Sequence, residues 1–221
     1  MIERTSLADI RTATEIQITN ISEHDRDEMA IPSYLHGNPL IRWLMWKRYD
    51  TIAELLNPAT DKHVLEFGCG VGLFLPHLHK NSAKTYAIDL FPQYAQNLTQ
   101  KKSISPKFIE SLEDIPDASL DTIVAADVLE HIEELDHYLE IFRRKLKSGG
   151  QFLVSGPTEN FVYRIGRIVA GFAGKGDYHH TNIDKLICDI ETGGFRLDIA
   201  KRLPFSYLPT LFKICAFTKA D

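Results

Sequence analysis

From Pro39 onward, apolar residues recur at roughly helical spacing (Leu40, Leu44, Trp46, Ile52, Leu55, Leu56), and the run stops at Asn57-Pro58. That pattern predicts an amphipathic helix over about 40–56. Beyond it the pattern alternates, with short apolar runs at 62–67, 84–89, 107–110, 121–126 and 150–155 separated by helical periodicity at 71–80, 91–101 and 133–147. A further helix near 181–192 leads to two last strands, 195–201 and 211–218, arranged as a hairpin around Leu203-Pro204. Strands alternating with helices in this way predict an α/β fold. The expected architecture is a doubly wound, mostly parallel seven-stranded sheet with helices on both faces and an antiparallel last strand.

The ends read differently. Residues 1–30 carry seven acids and three Arg among scattered Ile and Leu, which predicts a polar helix or a loose arm with frayed ends rather than core. Residues 1–58 are therefore expected to form an N-terminal helical cap or arm, and 59–221 one enzyme-sized domain with a cap insertion near 156–180. Net charge is −5, from 25 Lys and Arg against 30 Asp and Glu, which argues against a general nucleic-acid-binding surface. Cys69, Cys188 and Cys215 are odd in number and widely spaced, as expected of a reducing compartment rather than a disulfide or zinc framework. With no secretory pattern and no uncharged apolar run of membrane-spanning length, a cytoplasmic location, at most peripheral to a membrane surface, is expected.

The chemistry concentrates after the first sheet strand. In Glu66-Phe-Gly-Cys-Gly-Val-Gly72, the glycines Gly68, Gly70 and Gly72 follow the strand where ligands of such sheets bind. Glycine lets backbone approach a ligand closely and take positive φ. A dinucleotide site would use G-x-G-x-x-G, whereas the spacing here is G-x-G-x-G with a carboxylate two residues ahead. That carboxylate suits a cationic amino-acid moiety better than a pyrophosphate. Asp89, closing the second strand in Tyr86-Ala-Ile-Asp, is placed to take both hydroxyls of a ribose. Either feature alone is an ordinary turn or cap; together, at the ends of consecutive strands, they point to a ligand.

With these residues in view, the chain resembles the class I S-adenosylmethionine-dependent methyltransferases of the type 11/12 kind, with their Rossmann-like fold, over about residues 60–155. Val64–Gly72, Asp89, Asp121–Asp127 and Leu146–Val154 carry the resemblance. It implies S-adenosylmethionine as cofactor. Glu66 and the backbone from Gly68 through Cys69 and Gly70 to Gly72 would hold the methionine end, and Asp89 the ribose. Ser111 and Leu112 would border adenine, with Glu110 a partner for its exocyclic amine, while Leu90 and Asp127 complete the pocket.

After the fourth strand comes Asp127-Val-Leu-Glu130-His131, whose plain reading is the start of a helix. Combined with Gly156-Pro-Thr-Glu-Asn-Phe161 and Asp177-Tyr-His-His180, the layout resembles the ubiquinone-pathway O-methyltransferases and the small-RNA 3′-end 2′-O-methyltransferases. That resemblance implies a divalent metal beside the acceptor hydroxyl, with Glu130 and His131 among its ligands. The chain departs from those families in having Asp127 in place of Glu, and in the setting of its later His pair. Without a metal, His179 or His180 is the candidate general base, with His131 the third histidine of the catalytic set.

The acceptor is read from the segment 161–173, which carries two Arg, no acid and large apolar residues. It reads first as a cap helix. As an interfacial helix it would place Arg164 and Arg167 near anionic head groups, with Trp43, Met45, Trp46, Lys47 and Arg48 extending the same surface. The expected acceptor is a small or lipid-linked molecule methylated on oxygen. Alternatives are carbon methylation of a quinone-like precursor and a catalytically inactive cofactor-binding regulatory subunit. A nicotinamide-dependent oxidoreductase is disfavoured by the glycine spacing and by the lack of a Tyr-x-x-x-Lys pair.

Overall fold

A computed structural model describes residues 1–19, 21–22, 29–56, 61–161, 163, 181–205 and 208–220. Its strands are β1 (His63–Phe67), β2 (Lys84–Ile88), β3 (Lys107–Phe108), β4 (Leu120–Ala126), β5 (Leu146–Pro157), β6 (Phe195–Leu203) and β7 (Phe212–Lys219). They form one sheet in the order β3-β2-β1-β4-β5-β7-β6. The first five pair in parallel, and β7 runs antiparallel to both β5 and β6. The chain moves outward from β1 to β3 and then returns to β4 on the other side of β1. The strand order thus reverses between the tips of β1 and β4, which opens a crevice there.

Strand alternation sorts the core into two layers. Val64, Val124, Leu153 and Ile214 face one way and join a cluster with Trp46, Ile52, Phe74 and Leu98. Leu65, Ile123, Phe152 and Cys215 face the other way and pack with Leu139, Phe142, Leu186 and Ile190. The first layer is covered by α1 (Leu7–Thr14), α2 (Ile31–Tyr34), α3 (Pro39–Leu55), α4 (Leu75–Lys80) and α5 (Gln93–Lys101), and the second by α6 (Leu135–Lys145) and α7 (Ile183–Thr192). Glu66 shares the parity of Val64, so its side chain enters the layer beneath α3.

The predicted doubly wound sheet and its antiparallel last strand are present, and three local expectations change. Residues 1–14 are no loose polar arm. Ile10 and Ala13 of α1 are fully buried, Ile2 nearly so, and the Ile2 N–H donates to the Asp50 carboxylate at 2.8 Å. Ser6 caps α1 by accepting the Asp9 N–H at 3.0 Å, an interaction worth about 1 kcal/mol. The helix expected over 71–80 starts only at Leu75, because Gly72 is held at φ 78° by a turn in which its N–H donates to the Cys69 carbonyl at 2.7 Å. The surface expected from α3 also turns inward. Met45, Trp46 and Arg48 are buried, which leaves only Trp43 and Lys47 half-exposed from that group. Beyond the exit of β5, the segment 164–180 lies outside the described residues, and with it Arg164 and Arg167.

Candidate functional site

The glycine turn is built onto β2 as well as β1. The Gly68 and Cys69 N–H groups both donate to the Ile88 carbonyl, at 2.9 and 3.2 Å. Gly68, Gly70 and Gly72 all have positive φ (71°, 52° and 78°), a region costly for any residue with a Cβ. Their surroundings differ. A Cβ at Gly68 would lie 2.4 Å from Val128, one at Gly72 would lie 2.8 Å from Ala95, and one at Gly70 would meet nothing within 4 Å. Two of the glycines permit close packing, while the third faces open space. The Cys69 side chain packs with Leu75, Ala87 and Ala95, so only its backbone faces the turn's outer side. Burial holds its thiol well above the usual range, and the carboxylates of Asp89 and Glu66 add to that.

Two carboxylates flank the turn. Asp89 accepts the Gly70 N–H at 2.6 Å through Oδ2 and the Phe91 N–H at 2.9 Å through Oδ1. Burial raises its pKa, against the pull of these backbone donors. Glu66 is 1% exposed, and its Oε2 has no hydrogen-bond partner among the described residues. Burial holds its carboxyl well above the ordinary value, and the neighbouring Asp89 raises it further. A buried acceptor without a donor carries the desolvation cost of burial with nothing to offset it. The cleft therefore favours a ligand with a positive group and hydroxyls, and the two acids disfavour a pyrophosphate.

The tip of β4 closes the crevice opposite. Asp127 takes φ 54°, and its N–H donates to the Ser155 carbonyl at 3.0 Å while its Oδ1 accepts from the Ser155 hydroxyl at 3.0 Å. Its Oδ2 forms an ion pair with the Arg48 guanidinium of α3. Tyr49, also on α3, stacks on Phe74 at 5.0 Å and on Tyr34 at 6.1 Å, walling the same end with rings. Sequence reasoning missed Arg48, Tyr34, Tyr49 and Ser155 as parts of this site. Their one trace in the sequence is an Arg and a Tyr set among the apolar positions of α3.

On the other layer, a cavity of about 630 Å³ runs from the tip of β2 to α6, lined in part by Ile88, Glu110, Ser111, Leu112 and Tyr138. That volume is ordinary for a small-molecule site. Ser111 caps the 3-10 turn Leu112–Asp114, accepting the Glu113 N–H, and Leu112 is buried beneath it. Leu90 stands 91% exposed beside Asp89, an apolar side chain with no core role. Glu130 and His131 lie in a 3-10 turn (Leu129–His131), with Glu130 buried and both engaged with other groups of the protein. Among the described residues no three metal-ligating side chains converge. His179 and His180 lie outside those residues.

Comparison with known proteins decides the family. A profile described as "Methyltransferase domain" matches residues 42–187, well over half of the 221-residue chain. The chain belongs to the methyltransferase-domain family. Among relatives of this methyltransferase domain is the mitochondrial ubiquinone biosynthesis O-methyltransferase of Mus musculus. It is 28% identical over 170 residues, which cover 67% of this chain and 46% of that protein. The chain thus matches about half of that relative's length. The fold is shared with the N-methyltransferase NodS of Bradyrhizobium japonicum WM9 in complex with S-adenosyl-L-homocysteine (TM-score 0.65, 19% identity, 88% of this chain and 96% of that one). It is shared also with the [4+2]-cyclase SpnF (TM-score 0.62, 16% identity, 79% of this chain and 80% of that one). A methyltransferase-type fold alone does not fix the reaction.

Proposed function

We propose that the protein is an S-adenosylmethionine-dependent methyltransferase acting on an oxygen of a small or lipid-linked acceptor. The observation that carries the cofactor reading is the unpartnered Oε2 of buried Glu66, on the strand that leads into a turn where a Cβ at Gly70 would meet nothing within 4 Å. Glu66 would hold the ammonium of the methionine end, the Gly68–Gly72 backbone would lie against it, and Asp89 would accept from the ribose hydroxyls. Leu90, Ser111 and Leu112 would border adenine, with Glu110 within the same cavity. Asp127 closes the opposite wall.

When bound, the cofactor supplies a methyl group already activated on a sulfonium. The protein's share is alignment of acceptor and methyl, exclusion of water and removal of the acceptor's proton. His131 is the described candidate for that proton, and His179 and His180 complete the set on sequence grounds. A divalent metal, if the protein takes one, would be held by Glu130 and His131 together with groups outside the described residues, and would lower the pKa of the acceptor hydroxyl.

Asp89→Ala tests the ribose assignment. It is expected to weaken S-adenosylhomocysteine binding by about 1–3 kcal/mol, the cost of losing a charge-assisted acceptor. Unchanged affinity in titration calorimetry sinks that assignment.

The oxygen and lipid parts of the reading have separate support. Relatives named O-methyltransferase recur among the matches. An apolar rim lies at the same end of the sheet. Trp43 of α3 meets Phe205 at 5.7 Å, Leu40, Phe161 and Leu208 are exposed, and Asn160 donates to the Thr210 carbonyl, which ties Phe161 to that loop. Exposed apolar groups gathered at a site's mouth suit a hydrophobic tail or a membrane surface. The protein is expected to co-sediment with anionic liposomes in a salt-sensitive way. Recovery in the supernatant at low salt directs the acceptor search to soluble hydroxylated molecules.

A further inference from the structure

The Arg48 guanidinium lies where four elements meet, yet α3 could end its charged face in solvent. Arg48 is 5% exposed. Its Nη1 pairs with Asp127 at the β4 tip, and its Nη2 donates to the Tyr34 hydroxyl of α2 at 3.2 Å. Its Nε reaches the Met45 carbonyl at 3.5 Å, and its Cζ stands 4.9 Å over the Phe212 ring of β7. A buried ion pair is poor evidence of stabilisation in itself, because desolvating both charges offsets most of their attraction. What such a pair does provide is a fixed geometry.

That geometry falls at a strained point. Asp127 holds a left-handed backbone, tolerated by Asp better than by most residues but still unfavourable. Ser155 and Arg48 between them occupy both of its carboxylate oxygens. The next residue, Val128, fills the space beside Gly68 so closely that no Cβ fits there. The conformation of Asp127 therefore sets how the β4 tip meets the glycine turn.

We propose that Arg48 is a positioning residue. It holds Asp127 in its left-handed conformation and so fixes the Val128–Gly68 wall of the cofactor cleft, a role that rests on reading the strand tips as that cleft. The N-terminal helices are then part of the site rather than an appendage to it. Arg48 acts through Asp127 and needs no contact with the reacting atoms.

The test uses the whole 221-residue chain with Arg48→Lys, Arg48→Gln, Asp127→Asn and the Arg48→Gln/Asp127→Asn double variant. S-adenosylhomocysteine affinity is read by calorimetry, and amide exchange by NMR. Arg48→Gln and Asp127→Asn are each expected to weaken affinity tenfold or more, the double variant is expected to be no weaker than the worse single, and Arg48→Lys should recover part of the loss. The Asp127 amide, bonded to Ser155, should lose exchange protection in Arg48→Gln while Ile123–Ala125 keep theirs. Affinities within twofold of the parent alongside lowered thermal midpoints would make Arg48 purely structural and overturn the proposal, as would losses that add in the double variant. If Arg48→Gln does not fold, the Lys and Asn variants carry the same comparison. A parent protein that fails to bind S-adenosylhomocysteine refutes the cofactor reading; Asp127 exchange unchanged in the variants then refutes the clamp separately.

Discussion

Glu66→Gln is expected to weaken S-adenosylhomocysteine binding by roughly 10- to 100-fold, the scale of about 1.5–3 kcal/mol for a hydrogen bond to a charged group. The amide keeps the shape of the side chain and one acceptor but loses the charge that would pair with an ammonium. The same substitution should change how the ligand-free protein responds to pH. Burial, with Asp89 as a second cause, raises the folded-state pKa of Glu66 well above the ordinary carboxyl value. The folded state then binds that proton more tightly than the unfolded chain does. Its contribution to stability is full below the unfolded pKa and is lost as pH rises toward the folded pKa. Thermal midpoints from pH 5 upward should therefore fall less in Glu66→Gln than in the parent. Parallel pH profiles together with unchanged affinity would remove Glu66 from the site.

Stability and binding pull in opposite directions at this residue, and that conflict made it legible in the sequence. A Glu inside the run His63–Phe67 has no structural use, and of the glycines after it Gly70 has none in packing either. The strands were legible for a related reason, because each half of the core needs its own parity of apolar side chains. Other parts of the site depend on residues far apart in the chain. Arg48 among Trp43, Met45 and Trp46 reads as an interfacial helix until Asp127 is seen to draw it inward. The acids of residues 1–30 hide Ile2, Ile10 and Ala13, whose partners lie on α3 and α5 and in the sheet. The start of α4 at Leu75 follows from the backbone angle of Gly72, which the residue type permits without specifying.

The three glycines of the turn should separate folding from binding when each is replaced by Ala. Gly72→Ala puts a Cβ 2.8 Å from the Ala95 Cβ and 3.0 Å from its Cα, so helix α5 itself must shift. Gly68→Ala drives into Val128 at 2.4 Å and displaces the β4 tip. Overpacking of this kind costs about 1–3 kcal/mol, in addition to about 1–2 kcal/mol for a left-handed Ala. At about 2–4 °C per kcal/mol for a chain of this size, the summed cost predicts a fall of roughly 4–20 °C in thermal midpoint for either variant. Gly70→Ala meets nothing within 4 Å and bears the backbone strain alone, which predicts a fall of roughly 2–8 °C. Yet its Cβ enters open space next to the N–H that donates to Asp89, where a ligand would lie against bare backbone. Gly70→Ala is therefore expected to stay folded and lose S-adenosylhomocysteine binding by about 100-fold or more, some 2.7 kcal/mol. Thermal unfolding and calorimetry on the three variants give the comparison. A Gly70→Ala protein that binds like the parent would mean that the open space beside the turn is not where the cofactor sits.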